Sequence, residues 1–366
     1  MTEIVLVGNV PSSGILQADT AVRFDPPPDA DAPAAFIDLM AAALARTDAV
    51  VVVHAAWRAD EAARLLRLAR GALDTDRVAG IGLNLPPLAL SVVADQLAFV
   101  SPYVRPGQLA SMADGLARAV YAGAWVNSVT HLAHVRTGFG KHVASYLPRG
   151  GFSVAAWPHE NVHRITSGRP VQDITDRPLD PVLLLVASGD GDTEWVHRHL
   201  QPALGAVQTT PVAAQPLAAE FWGTRRCVEF VALSGHPQAL QGILTATVCH
   251  PCGWCGEPTA LRECPFCHMT RPTTSTDPQD ARPEDEAHGG PDDTGADPPA
   301  RPDLPVVART VPEPAAVRAA PAPLPVPGPV ATTTINPPPS HDPGADAFDG
   351  EPGRTGTVAF RSRPEH

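Results

Sequence analysis

Lysine is almost absent from this chain: of its 27 lysines and arginines, only Lys141 is a lysine. This bias fits a GC-rich coding sequence and points to no function. The chain also lacks an uninterrupted apolar run that could span a membrane, because its longest apolar stretch, 79–100, contains Asn84, Pro86, Pro87, Asp95 and Gln96. No basic segment precedes an apolar run at the start, so no signal peptide is predicted and we expect a cytoplasmic protein.

Positive charge is scarce along the whole chain, which carries a net charge of −12. Residues 1–270 contribute −5 (24 acidic, 19 basic) and residues 271–366 contribute −7 (15 acidic, 8 basic). An acidic surface repels phosphate backbones, so general nucleic-acid binding is disfavoured. A local basic patch remains near the cysteine-rich segment: Arg225, Arg226, Arg262 and Arg271.

The first half of the chain alternates buried-strand and helix patterns. Run 49–53 is continuously apolar, as in a strand covered on both faces, 4–10 is a short apolar run that ends at a turn signal, and 78–83 predicts a third strand; helix-like spacing separates them. This alternation predicts an α/β fold with a mixed, partly parallel sheet. We also expect a long helix over about 108–134 and a strand within 16–24.

Proline is concentrated at the C-terminal end, where 21 of the 42 prolines fall after residue 270. That stretch has no sustained apolar periodicity and leaves little surface to offset the entropy of ordering. We therefore predict three parts: an α/β body over 1–248, either one lobe or two with a boundary near 150, a zinc knuckle over 249–270, and a disordered acidic tail over 271–366.

Two C-x-x-C pairs follow the body: Cys252, Cys255, Cys264 and Cys267. Each pair predicts a tight turn whose backbone N–H groups can bond thiolates, and Gly256 suits the left-handed backbone of such a turn. Four facing thiolates form a tetrahedral set of soft ligands, which suits zinc. The sequence thus predicts one structural zinc ion, with Cys249, His250 or His268 as alternative ligands.

Residues 249–268 resemble zinc-ribbon or treble-clef-like knuckle modules, although only eight residues separate the two pairs. The resemblance implies a structural metal and names no activity. Three other interpretations of these cysteines stay open: an iron–sulfur cluster, since Cys249, Cys252 and Cys255 precede Cys264-Pro265, c-type haem attachment at Cys264-Pro265-Phe266-Cys267-His268, and a redox dithiol.

The body contains one metalloprotease-like motif, His159-Glu160-Asn161-Val162-His163. The residues after Pro158 alternate as in a strand, where residues four apart lie about 13 Å apart, too far to share a metal. A working site would need a helix here and a third ligand such as Glu194.

Weaker patterns have structural explanations. His131 and His134, with His142, could ligate a metal but suit the end of a helix. Gly138–His142 has only part of a phosphate-loop pattern, and the loop 8–14 would cradle an anion only if a helix followed it. The acidic run 190–194 fits a helix cap, and Cys227 fits a buried apolar strand.

These observations favour a non-enzymatic zinc-binding adaptor or scaffold that works through protein partners, with no membrane role and with nucleic-acid binding disfavoured. Two alternatives remain at this stage. One is a metal-dependent hydrolase that uses His159, Glu160 and His163, and the other is a regulator that contacts nucleic acid through the knuckle.

Overall fold

The computed structural model describes residues 1–16, 20–27, 31–135 and 151–271. The chain divides into two compact units, Met1–Arg282 and Pro283–His366, and the second lies wholly outside the described residues. The predicted disordered tail from 272 onward and the glycine-rich segment Gly138–His142 also lie outside them. The described part has a mixed α/β fold, which confirms the predicted fold class.

The first sheet is four-stranded and entirely parallel, with the order β2-β1-β3-β4. Its strands and helices are β1 (Thr2–Val7), β2 (Val22–Phe24), α1 (Ala32–Leu44), β3 (Ala49–Ala55), α2 (Ala59–Ala72), β4 (Val78–Leu83), α3 (Pro87–Val100) and α4 (Pro106–Arg118). All seven residues of β3 are buried, as the continuous apolar run predicts for a central parallel strand.

The second sheet has six strands in the order β7-β6-β5-β10-β8-β9, antiparallel except for the parallel pair β8 and β9. Its elements are β5 (Tyr121–Val126), β6 (Phe152–Trp157), β7 (Asn161–Arg164), β8 (Val182–Ser188), α5 (Thr193–Trp195), a π-helical turn (Val196–Leu200), α6 (Gln201–Leu204), β9 (Ala206–Val212), α7 (Ala218–Trp222), β10 (Cys227–Ser234) and α8 (Pro237–Ala246).

Helix α3 joins the two sheets through one shared core. Eleven of its 14 residues are buried, and its side chains pack in the same cluster as those of β1, β3 and β10. A helix buried almost all round has to lie between other layers, so α3 fixes the first sheet against the second.

The predicted helix over 108–134 is wrong in its second half. Helix α4 ends at Arg118, and β5 then runs from Tyr121 to Val126 with every residue buried. The run Tyr-Ala-Gly-Ala-Trp-Val pairs with β6 and β10, and this pairing overrides the helical preference of its alanines. His131 and His134 consequently lie in a turn after β5.

No helix among the described residues is long and apolar enough to cross a membrane.

Candidate metal centre and ligand cavity

The four cysteines of the two C-x-x-C pairs form a compact thiol cluster. Their sulfur atoms all lie within 4.8 Å of one another, and the Sγ atoms of Cys252 and Cys267 are 3.5 Å apart, those of Cys255 and Cys264 3.6 Å. Tetrahedral ligation at a metal–sulfur distance of about 2.3 Å requires sulfurs about 3.8 Å apart. The cluster is therefore close enough to hold a metal ion.

Two matching backbone turns place these sulfurs. In the first, Gly256 N donates to Cys252 O at 3.0 Å, and in the second His268 N donates to Cys264 O at 2.9 Å. The fifth residue of each turn has a left-handed backbone, with φ of 73° at Gly256 and 59° at His268. The prediction for Gly256 is confirmed, whereas the equivalent role of His268, a residue with a Cβ atom, could not be anticipated from residue type.

Backbone N–H groups also act on the thiols directly. Hydrogen bonds from the N–H groups of Cys255 and Trp254 lower the pKa of Cys252 to about 6. Burial raises the pKa of Cys264, although N–H groups of Cys267 and Phe266 oppose it. Cys249 and His250 are not part of the cluster. His268, the third alternative ligand, is already hydrogen-bonded, since its Nδ1–H donates to the Glu263 carboxylate at 2.7 Å.

The knuckle docks on the body through paired polar contacts. Glu257 accepts from Gly107 N at 2.9 Å, at the start of α4, and the Ser111 hydroxyl accepts from Ala260 N at 2.9 Å. Arg70 on α2 donates to the Phe266 carbonyl. Cys252, Cys264 and Phe266 belong to the main core cluster, so the two cysteine turns are packed into the body.

This docking site lies at the amino ends of the parallel strands. A cavity of about 470 Å³ there is lined by the strand starts Thr2 and Ala49 and, from the knuckle, by Cys255, Glu257 and Phe266.

A second cavity, of about 260 Å³, lies in the second sheet, at the carboxyl end of β8. It is bounded by the end of β8, the segment 214–219 after β9, and the start of β10. We call it the Glu229 cavity. Its lining is mostly small and apolar: Ala187, Gly189, Ala214, Gln215, Pro216, Ala218, Ala219, Arg225, Cys227 and Glu229.

Glu229 is the fully buried acidic residue of this cavity. One carboxyl oxygen, Oε1, accepts from Leu88 N at 2.8 Å in the first turn of α3, while Oε2 has no hydrogen-bond partner. Burial raises the pKa of Glu229 to about 8, against the lowering effects of the Leu88 N–H and the Trp222 indole N–H. The carboxyl is therefore neutral at neutral pH.

Unpaired polar atoms accumulate around this carboxyl. Of the seven buried side-chain N or O atoms without a partner in the described part of the chain, three belong to Gln215, Trp222 and Glu229. The indole N–H of Trp222 acts on the Glu229 carboxyl but does not reach hydrogen-bond geometry. Buried polar atoms are normally paired, and the Trp222 indole N–H and the Glu229 carboxyl supply part of that pairing for one another.

The metalloprotease-like motif does not form a site. Residues 161–164 form strand β7, and the two histidines have separate partners. His159 Nδ1 lies 3.0 Å from an Asp176 carboxylate oxygen, and His163 Nε2 lies 2.8 Å from the Arg169 carbonyl. The proposed third ligand, Glu194, pairs with Arg198 at 2.6 Å.

The remaining weak patterns are structural where they fall among the described residues. His134 stacks on Phe221 and lies tilted against Trp57, with ring centroids 5.1 Å from each. Asp192 accepts from Trp195 N at 2.9 Å and caps α5, as predicted. The buried Cys227 thiol has its pKa raised to about 12 by desolvation, so it is inert.

The loop after β1 contacts a carboxylate of the same chain, that of Asp95. The buried Asp95 carboxylate on α3 accepts from the Ser12 hydroxyl at 2.9 Å, from Ala21 N at 3.1 Å and from Arg23 at 2.9 Å. It thereby fills the place where the sequence suggested that the loop might receive an external anion.

Known proteins resemble this chain in fold alone. No family model and no curated protein matches it. Similar solved structures include a DegV family protein from Corynebacterium glutamicum (11% identity, TM-score 0.46, 64% of this chain and 97% of the other). A fatty-acid-binding DegV family protein from Thermus thermophilus (12%, 0.46, 64% and 99%) and a stearic-acid-binding protein from Eubacterium ventriosum (12%, 0.47, 64% and 98%) are also similar.

These findings contradict the prediction of a zinc-based adaptor or scaffold with protein partners, because the similar structures include proteins that bind lipids. The hydrolase alternative fails too, because β7 separates its histidines, and no finding favours the nucleic-acid alternative. At these identities and TM-scores, the resemblance identifies no ligand for this chain.

Proposed function

We propose that the body binds one small, largely apolar ligand in the Glu229 cavity, and that fatty acids are the class to which this ligand belongs. The observation that carries the proposal is the cavity itself, whose mostly apolar lining includes Gln215 and Glu229, two residues that each have one buried oxygen without a hydrogen-bond partner. Leaving such atoms unpaired costs about 1–3 kcal/mol each, which a ligand with a polar head group would recover.

The position of the cavity supports a binding role. In open α/β sheets, ligands bind beyond the carboxyl ends of the strands. The Glu229 cavity lies at the carboxyl end of β8, and Leu217 beside it approaches Gly8 at the carboxyl end of β1. Helix α3 begins at the same place, with Leu88 N bonded to Glu229.

Size and lining limit the class of ligand. The volume of about 260 Å³ lies just below the roughly 300–1,000 Å³ of typical small-molecule sites. Apart from Gln215, Arg225 and Glu229, the lining residues carry no polar side-chain oxygen or nitrogen. Such a space suits an acyl chain of medium length with one polar end. The fatty-acid-binding proteins named above suggest which ligands to test first.

A cavity-filling variant tests this proposal. Ala219→Phe places a ring in the cavity, and Ala203→Phe adds the same ring at an exposed position of α6 as a matched control. We expect calorimetry to give saturable, one-to-one binding of decanoic acid to the natural protein and to Ala203→Phe, and none to Ala219→Phe. Equal binding to all three would place the ligand elsewhere, and binding to none would refute the proposed function.

We further infer that the thiol cluster holds one structural zinc ion through Cys252, Cys255, Cys264 and Cys267. The sulfur separations of 3.5 and 3.6 Å suit a tetrahedral thiolate site, and docking into the core suits a structural metal. Metal analysis of the purified protein should give one zinc per chain. A brown protein that contains iron would favour the cluster alternative, and a metal-free, fully folded protein would refute both.

A further inference from the structure

We propose that Cys255 is a modification site, at which hydroperoxides oxidise the thiol cluster, and that Cys264 then forms a disulfide with it. The site of oxidation follows from the burial of the four thiols, the hydrogen bonds to their sulfurs and the cavity beside the knuckle. Its consequence, release of the metal, rests on the structural zinc ion of the proposed function.

The four thiols of the cluster differ in how far they are buried. Cys252 is 9% exposed and Cys264 is 1% exposed, whereas Cys255 and Cys267 are half-buried. The first cysteine of each turn is thus shielded, and the second is the more open one. Since a hydroperoxide has to reach the sulfur atom, Cys255 and Cys267 are the thiols that it can attack.

Backbone hydrogen bonds to sulfur reinforce this difference. The Cys252 sulfur accepts from the N–H groups of Cys255 and Trp254, and the equivalent sulfur of the second turn, that of Cys264, also accepts from two. The Cys255 sulfur accepts from the N–H group of Glu257. Stabilising the electron pairs of a thiolate lowers its nucleophilicity, so Cys255 is the better nucleophile of the first turn.

The cavity of about 470 Å³ beside the knuckle distinguishes the two half-buried thiols. Cys255 is one of the residues that line it, whereas Cys267 is not. The lining carries charged side chains of both signs, which do not repel a neutral peroxide. Cys255 therefore borders a space that admits a small hydroperoxide, and this makes it the first thiol to react.

Oxidation by hydrogen peroxide takes two steps. The Cys255 thiolate attacks one peroxide oxygen, the O–O bond breaks, and the products are a sulfenic acid and hydroxide. The Cys264 thiolate then attacks the Cys255 sulfur, a disulfide forms, and a second hydroxide leaves. The two thiolates lose two electrons, which the peroxide gains. Their sulfurs are 3.6 Å apart, so a small movement brings them to the disulfide bond length of about 2.05 Å.

This disulfide removes two of the four thiolates from the metal site. Cys252 and Cys267 alone do not complete a tetrahedral set, so the metal ion is released. Glu257, which accepts from Gly107 N at 2.9 Å, lies only two residues after Cys255. Oxidation at Cys255 therefore acts directly on the joint between the knuckle and the body.

Peptide mapping of the full chain can locate the first disulfide, because the sequence separates the four cysteines for proteases. Chymotrypsin cuts after Trp254 and Phe266, and trypsin cuts after Arg262, so each clustered cysteine falls on its own peptide. The purified protein is treated at pH 7 with a single equivalent of hydrogen peroxide. Free thiols are then blocked with iodoacetamide before digestion and mass spectrometry.

We expect the main disulfide to join the peptide of Cys255 to that of Cys264. A main disulfide between Cys252 and Cys267, or between the two cysteines of one turn, would overturn the inference. Cys249→Ser is the matched control, because Cys249 lies outside the cluster, and it should give the same map as the natural protein.

A variant of the cavity tests the route to the thiol. Val104→Trp places a large ring in the cavity lining, and Val207→Trp adds the same ring at an exposed position of β9. Trapping of the sulfenic acid with dimedone should be several-fold slower in Val104→Trp than in Val207→Trp or the natural protein. Equal rates in all three would contradict access through the cavity.

Metal release separates this inference from the zinc assignment. A chromophoric chelator should detect one zinc ion for each disulfide formed, and dithiothreitol with added zinc should restore the site. Disulfide formation with the metal retained would overturn the release step. If metal analysis finds no metal before oxidation, the zinc assignment fails, while the peptide map still decides whether Cys255 is the site of oxidation.

Discussion

The joint between knuckle and body, at the amino ends of the parallel strands, and the Glu229 cavity, at the carboxyl end of β8, differ in how their buried polar groups are satisfied. At the amino ends, the contacts between knuckle and body are paired, as in Glu257 with Gly107 and Ser111 with Ala260. At the cavity, Glu229 and Gln215 each keep one buried oxygen without a partner. Completed hydrogen bonding indicates a structural joint, whereas missing partners indicate a place for a ligand.

Breaking the thiol cluster should have the largest effect, and only at the amino end. In the double variant Cys255→Ser/Cys264→Ser we expect metal loss and rapid proteolysis within 249–268. Structural zinc supplies on the order of 10 kcal/mol of apparent folding free energy to isolated modules. Cys249→Ser is the matched control, because Cys249 lies outside the cluster. Equal protease resistance in both variants would contradict the structural role of the metal.

Deprotonation of Glu229 should have the next largest effect on the free energy of unfolding. Its pKa rises from 4.5 in the unfolded chain to about 8 in the fold, so the folded state binds the extra proton between these values. The free energy of unfolding should therefore fall as pH rises from about 5 to 8, by at most about 5 kcal/mol at roughly 1.4 kcal/mol per pKa unit.

Glu229→Gln isolates this contribution, since glutamine does not ionise. Denaturant unfolding between pH 5 and pH 9 should show a much smaller decline in the variant than in the natural protein. Parallel curves for the two proteins would mean that Glu229 titrates at an ordinary pKa, and that the two regions do not differ as described.

Removing one hydrogen bond between the knuckle and the body should have a moderate effect on the free energy of unfolding. Glu257→Ala leaves Gly107 N without its acceptor, which should cost about 1–3 kcal/mol in the free energy of unfolding while zinc is retained. Glu263→Ala removes only an exposed contact with His268 and should cause no measurable change. Equal effects in the two variants would show that the knuckle is not anchored through Glu257.

Removal of the C-terminal region should have the smallest effect. The predicted disordered tail begins at 271, but Arg271 donates to the Thr259 carbonyl at 2.6 Å and belongs to the knuckle. A chain cut after Arg271 should melt within a degree or two of the full chain, since we expect the tail to contribute no buried surface. A drop of several degrees would show that the tail packs on the body.

Local patterns revealed much of the fold and the whole thiol cluster. The apolar runs at 49–53 and 78–83 identified β3 and β4, and the two C-x-x-C spacings identified all four clustered cysteines. Both signals act over a few residues, so sequence alone carries them. The helix error after Arg118 arose because strand pairing with β10, about a hundred residues later, decides the state of β5.

The Glu229 cavity was beyond sequence reasoning for the same reason. Glu229 lies in a strand whose other buried residues are apolar, and nothing near it in the chain indicates that Leu88, more than a hundred residues earlier, donates to it. Gln215 is an ordinary loop residue until tertiary packing buries its amide. The one hint in the sequence is that Glu229 is an acidic residue within the apolar run 227–233.

Hydrogen–deuterium exchange on the full chain, with and without saturating decanoic acid at pH 6, tests the central comparison most directly. We predict slower exchange in the segments that line the Glu229 cavity, 187–189 and 214–229, and at the start of α3. Exchange in the knuckle, 249–268, should remain unchanged. Protection confined to the knuckle, or no protection anywhere at saturation, would contradict the assignment of a ligand site to the unpaired end and a structural joint to the paired one.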